Sequence, residues 1–102
     1  MSDAGRLLES YVKAVEFPGV SGFEVLELLD VRSRIAAQEA DLDPVARERL
    51  EDADSMFLRH SVRFYECVAL VGDLRDLRRR ASVPCSHWWW YLEKLGRREA
   101  TA

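Results

Sequence analysis

Apolar side chains along this chain recur at helical rather than strand intervals. Between Asp3 and Phe17, the residues Leu7, Leu8, Tyr11, Val12 and Val15 fall on one face of a helix. Pro18-Gly19-Val20 ends that segment. Ser21 and Glu24 then have the spacing of a capping box, in which the serine hydroxyl accepts from the Glu24 amide and the carboxylate reaches back. A second helix should start there, carry Val25, Leu28, Leu29, Ile35 and Ala36 inward, and run to about Ala40. Asp43 followed by Pro44 is the next start signal, an N-cap with proline at the first helical position.

The third segment has the longest pattern. Ala46, Leu50, Ala53, Phe57, His60, Phe64, Cys67, Val71 and Leu74 alternate steps of four and three, a heptad-type seam. Leu70, Leu77 and Ala81 widen the stripe toward its end. Gly72, the one glycine in the run, costs only about 1 kcal/mol in a helix. A continuous helix over 44–81 would be about 57 Å long, whereas a compact chain of this size is only about 30 to 35 Å across. Either the helix breaks, near Ser61 or at Gly72-Asp73, or a second copy covers what one chain cannot. The seam keeps its phase through both candidate breaks, which favours a continuous helix and a homodimer along it. Ser82-Val83-Pro84 ends the segment. Ser82 or Ser86 can cap a last helix over Trp88 to Leu95, stopped by Gly96, with the tail 97–102 expected to be disordered. The expected fold is all-α, a single domain over 1–102, an antiparallel bundle of about four helices with one long central helix.

Composition narrows the setting. The chain has 102 residues, 48% hydrophobic and 32% charged, enough for one core and too little for two. Its two cysteines make no disulfide framework and suit a reducing, cytoplasmic compartment. The first residues carry Asp3 and Glu9 and no apolar run, so neither a signal nor a transit peptide is expected. The longest uncharged apolar stretches, 67–72 and 87–92, are far short of the roughly 20 residues of a membrane span. Net charge is −3, unevenly placed, with 13 acidic against 7 basic residues in 1–60 and 5 against 8 in 61–102. Thirteen of the 15 basic residues are arginine, whose fork suits carboxylate or phosphate.

Candidate chemistry gathers near the C-terminus. On an α-helix, Trp88, Trp89, Trp90 and Tyr91 would spread over about 300°. Trp88 would then join Leu92 and Leu95 in the core, leaving Trp89 or Trp90 to face outward or into a neighbouring chain. Arg78, Arg79 and Arg80 can meet the negative end of a helix dipole or contact a partner. Trp89, Trp90, Tyr91, Arg78 and Arg79 are therefore the candidate binding residues. Overall acidity argues against nonspecific duplex binding, although arginine beside aromatics has the composition of a single-strand surface. Arg80 and His87, separated by six residues, resemble the Arg-x4-6-His motif of the HEPN superfamily. That resemblance implies a small all-α dimer that cuts RNA with this pair; the residue after Arg80 is Ala81, where the family often has a polar one. His60 and Cys67 lie two turns apart on the seam, about 10.5 Å along the axis, too far for one metal ion. His60 is expected to be a core or register residue, and Cys85 a possible reactive thiol. No phosphate loop, nucleophile elbow or di-iron pair is present, so neither cofactor nor metal is expected. The expectation is a non-enzymatic interaction protein: an adaptor, antitoxin-like or regulatory subunit. It would be homodimeric and bind a partner protein through the acidic N-terminal half or the tryptophan and arginine C-terminal end, with a HEPN-like ribonuclease or RNA-binding protein as the alternative.

Overall fold

A computed structural model describes residues 3–17 and 21–95. Five α-helices, α1 (Asp3–Glu16), α2 (Gly22–Ala37), α3 (Pro44–Arg59), α4 (Ser61–Ala69) and α5 (Leu74–Arg80), are joined by short turns. Two of the connections are 3-10 turns, Glu39–Asp41 and Trp88–Trp90, and residues 92–95 form a last helical turn. No strand occurs among the described residues. The tail 97–102 lies outside them.

The start signals operate as their chemistry requires. Ser21 Oγ accepts from the Glu24 amide at 3.2 Å to open α2, and Asp43 Oδ1 accepts from the Ala46 amide at 2.8 Å to open α3 behind Pro44. Helix α2 closes at Ala37 rather than near Ala40, and the 3-10 turn takes over. Gly22 opens α2 against the end of α4: a Cβ there would sit 2.3 Å from the Cys67 carbonyl oxygen and 2.7 Å from the Val71 side chain. No side chain fits that approach.

The run 44–81 is three helices, not one. At His60 the backbone (φ −104°, ψ 12°) leaves the helix, and the Ser61 hydroxyl donates to the Leu58 carbonyl at 2.9 Å. At Gly72 the chain leaves again, and Asp73 restarts it by accepting from the Arg75 amide at 2.9 Å. The reason is geometric. The longest dimension of the molecule is 35 Å, so a straight helix of about 57 Å would leave much of its seam in water. Folding at His60 lets α3 pack on α1 and α4 on α2. Because a single turn residue separates α3 from α4, the four-three alternation survives the bend. Leu50, Ala53, Phe57, Phe64, Cys67 and Leu74 are consequently buried within one chain, and Phe57 stacks on Phe64 with ring centroids 5.3 Å apart. Each such phenylalanine contributes about 1.5–3 kcal/mol by leaving water. Most of the seam expected to carry a dimer is thus covered within one chain, while Val71 stays exposed. Leu70, expected on the stripe, instead caps α4 with 88% of its surface exposed.

Helix α5 ends in a Schellman motif. Val83 N–H bonds the Arg78 carbonyl at 3.3 Å and Ser82 N–H the Arg79 carbonyl at 3.1 Å, with Ser82 in the left-handed region at φ 53°. That reversal returns the aromatic segment to α2.

Candidate functional site

The aromatic segment packs differently from a helical reading. Trp88–Trp90 form a 3-10 turn, with about 120° between successive side chains. Trp89 and Trp90, one of which was expected to face outward, are 3% and 6% exposed. Trp88, expected in the core, is half-buried at its edge, where its ring meets Phe57 at 5.7 Å. What draws Trp89 and Trp90 inward is a hydroxyl: Ser33 Oγ, on α2, accepts from Trp89 Nε1 at 3.1 Å and from Trp90 Nε1 at 3.0 Å. Trp89 Nε1 also reaches the Leu29 carbonyl at 3.2 Å. His87 stacks on Trp89 at 4.6 Å and brings its Nδ1 to 3.0 Å from Ser33 Oγ.

A serine 3.0 Å from an imidazole nitrogen has the spacing of a nucleophile and its base. Valence decides otherwise. A serine hydroxyl has one proton and two lone pairs; the indoles occupy both lone pairs, leaving none to attack a substrate. The hydroxyl proton is then the group left to face His87 Nδ1. Burial, and then the nearby Arg32 charge, push the His87 imidazole below its ordinary pKa.

Beside this cluster lies a buried charge network. Arg32, on α2, has a side chain 5% exposed. Its Nε and Nη2 donate to Asp54 Oδ1 and Oδ2 on α3 at 2.9 and 3.0 Å, and Nη2 lies 3.5 Å from Glu39. Tyr11 OH, on α1, donates to the same Asp54 Oδ1 at 2.6 Å. The guanidinium also rests 4.2 Å from the Trp89 ring centroid, while its Nη1 is buried with no partner among the described residues. Burial works to lower the Arg32 pKa, but Asp54's hydrogen bonds and charge outweigh it and hold it above the ordinary value. Burial, and then the Asp54 carboxylate, drive the Tyr11 phenol upward. This network joins α1, α2, α3 and the aromatic turn.

The arginines divide by role. Arg78 Nη1 donates to the Trp90 carbonyl and to Glu93 Oε1, both at 2.9 Å, and its guanidinium lies 4.0 Å from the Tyr91 ring centroid; it pins the C-terminal segment. Arg79 and Arg80 are exposed and both pair with Asp76. The structure therefore turns Arg80 toward Asp76 and His87 toward Ser33. His60, at the α3–α4 bend, sets its ring edgewise to Phe64 at 6.3 Å, and the buried Cys67 and exposed Cys85 thiols are unpaired.

No family model, curated protein or solved structure matches this chain. Function must be read from its surface. Exposed apolar side chains bracket the start of α2, at Phe17 (65%) and Phe23 (70%), and follow α4, at Leu70 and at Val71, whose side chain lies against Gly22; Val45, Leu58, Val62 and Tyr65 are exposed on α3 and α4. At about 150–250 Å² per phenylalanine, these two rings present roughly 200–350 Å² of apolar surface, comparable to the largest patch of an ordinary monomer. A cleft of about 390 Å³ runs from Phe17 between α1 and α2, floored by Ala14, Leu28 and Val31, with Glu24 and Glu27 on its α2 wall. Sequence reasoning named the acidic N-terminal half as one candidate surface but not Phe17 or Phe23, which fall outside the periodic stripes of α1 and α2. It also passed over Arg32, whose position between Leu28 and Ile35 put a charge on the inward face of α2.

Proposed function

We propose that this chain is a non-enzymatic interaction protein, an adaptor or regulatory subunit, that binds a partner protein through the apolar end formed by Phe17, Phe23, Leu70 and Val71. The observation that carries this reading is the exposure of Phe23 and Leu70, 70% and 88%, on elements whose own cores are full. The cleft beside Phe17 fits a short amphipathic helix of the partner, apolar on the inserted face and basic where it passes Glu24 and Glu27. No helix among the described residues is long and apolar enough to cross a membrane, and two free thiols suit a cytoplasmic setting. An RNA-cleaving role for Arg80 and His87 would require each to leave the partner it holds in this fold.

Site-specific photo-crosslinking tests the reading. A photoreactive phenylalanine analogue at position 23 should give one discrete adduct in the source cell, and the same analogue at exposed position 48 on α3 should not. Phe23→Asp with Leu70→Asp should abolish an adduct formed through position 17 while the far-ultraviolet circular dichroism stays unchanged. Equal labelling at positions 23 and 48, or none at either, overturns the proposal. An adduct of twice the chain mass, 11.8 kDa for one copy, would replace the partner with a second copy.

A further inference from the structure

The cluster centred on Ser33 carries a second reading, independent of where the partner binds. We propose that His87 is the titratable element of a latch holding the C-terminal segment 83–95 on α2, and that protonation at Nδ1 releases that segment.

The hydrogen-bond inventory of Ser33 makes the latch single-valued. Trp89 Nε1–H and Trp90 Nε1–H point at the two lone pairs of Ser33 Oγ, at 3.1 and 3.0 Å, which leaves the one hydroxyl proton for His87 Nδ1, 3.0 Å away. A proton on Nδ1 turns that acceptor into a donor. Two protons then face each other across 3.0 Å, and Ser33 keeps the imidazole only by turning its own proton elsewhere and releasing one indole. The ring must turn away, which removes its stacking on Trp89 at 4.6 Å, or an indole must give up its bond to Ser33.

Surrounding charge favours release rather than accommodation. From α2, the Arg32 guanidinium faces the imidazole and opposes its protonation. Asp54 of α3 and Glu39 of the 3-10 turn are the acidic groups behind it, and both are turned to Arg32 rather than to His87. On its own segment, His87 meets the uncharged Trp89 ring. The rest of the hold on the segment is the Trp89 Nε1 bond to the Leu29 carbonyl, the Arg32 guanidinium over the Trp89 ring, the Trp88 edge on Phe57, the Arg78 bonds to the Trp90 carbonyl and to Glu93, and the buried Leu92.

The sign follows from the depressed pKa. In the folded protein His87 titrates below the value it has in the unfolded chain, about 6.5. The unfolded and released states therefore bind more protons over the interval between the two values. The closed latch is fully favoured above pH 6.5 or so, and loses ground as pH falls through the unfolded value. Release would bare Trp89 and Trp90, which at neutral pH are core.

Hydrogen exchange on the intact chain, read as protection factors between pH 7.5 and 5.0, tests the latch. Residues 88–92 should lose protection at low pH while α1 and α3 keep theirs, with a tryptophan emission shift to longer wavelength over the same interval. His87→Asn places a non-titrating acceptor near the Nδ1 position and should remove that step, whereas His60→Asn should leave it. The imidazole nitrogen spectrum at pH 7.5 must show His87 protonated at Nε2. A proton on Nδ1 at that pH, or identical pH profiles for the wild type and His87→Asn, overturns the latch, and the nitrogen spectrum decides even if the variant does not fold.

Discussion

Replacing Asp54 with asparagine removes one charge and almost no volume, and its effect can be worked from the contacts. Asp54 supplies both hydrogen bonds that satisfy Nε and Nη2 of Arg32, at 2.9 and 3.0 Å, and receives the Tyr11 hydroxyl at 2.6 Å. The Arg32 side chain is only 5% exposed, Glu39 is at the limit of bonding distance at 3.5 Å, and Nη1 has no partner. Breaking a buried ion pair by removing one partner costs about 3–5 kcal/mol, because the other charge stays behind in a medium that solvates it poorly. With Glu39 offering some compensation, about 3 kcal/mol is expected, a large fraction of the 5–15 kcal/mol typical of a whole domain. Urea unfolding followed by tryptophan fluorescence measures it, as a lower midpoint at unchanged slope. Arg32→Met combined with Asp54→Leu should be less destabilising than Asp54→Asn alone, since it leaves no charge behind. A loss under about 1 kcal/mol for Asp54→Asn, or a double variant that is the worse of the two, would refute the argument that the pair is held by mutual neutralisation.

Three other substitutions probe separate joints. Ser33→Ala leaves the Trp90 indole N–H without its acceptor, while Trp89 keeps the Leu29 carbonyl; a loss of about 1–3 kcal/mol is expected by urea unfolding, with a reduced near-ultraviolet dichroism signal. Gly22→Ala forces a methyl to within 2.3 Å of the Cys67 carbonyl oxygen, so α2 must move off α4 at a cost of about 1–3 kcal/mol, seen as a lower thermal midpoint despite alanine's better helix propensity. Ser82→Gly relieves a left-handed residue at φ 53° and should raise the midpoint, by about 1 kcal/mol in stability.

The helices were readable because their signals are local. Ser21, Asp43 and Pro44 fix starts through hydrogen bonds a few residues long, and the inward faces of α1 and α2 follow from spacing alone. The bend at His60 was not readable from the seam, because the turn adds no residue that would shift the phase. The 35 Å extent of the molecule shows that the stripe folds back on its own core. Trp89 and Trp90 were misplaced for a related reason. Their direction depends on a 3-10 turn and on a serine 56 and 57 residues earlier in the chain, and no periodicity carries information over that separation. Arg32 left a visible mark, a charge among Leu28, Leu29 and Ile35, yet its partner Asp54 lies one position off the seam. The charged residues that matter most to the fold are thus the ones a hydrophobic pattern discards.

Two pairs of aromatic residues decide the matter: Trp89 and Trp90 lie in the core, and Phe17 and Phe23 lie on the surface proposed to meet a partner. Hydroxyl-radical footprinting of the isolated chain at pH 7.5, scored by mass spectrometry against the urea-unfolded chain, separates them in one experiment. The account predicts strong protection of Trp89 and Trp90 and little at Phe17, Phe23 and Leu70. Oxidation of Trp89 and Trp90 at the unfolded rate, with Phe23 protected, would contradict it.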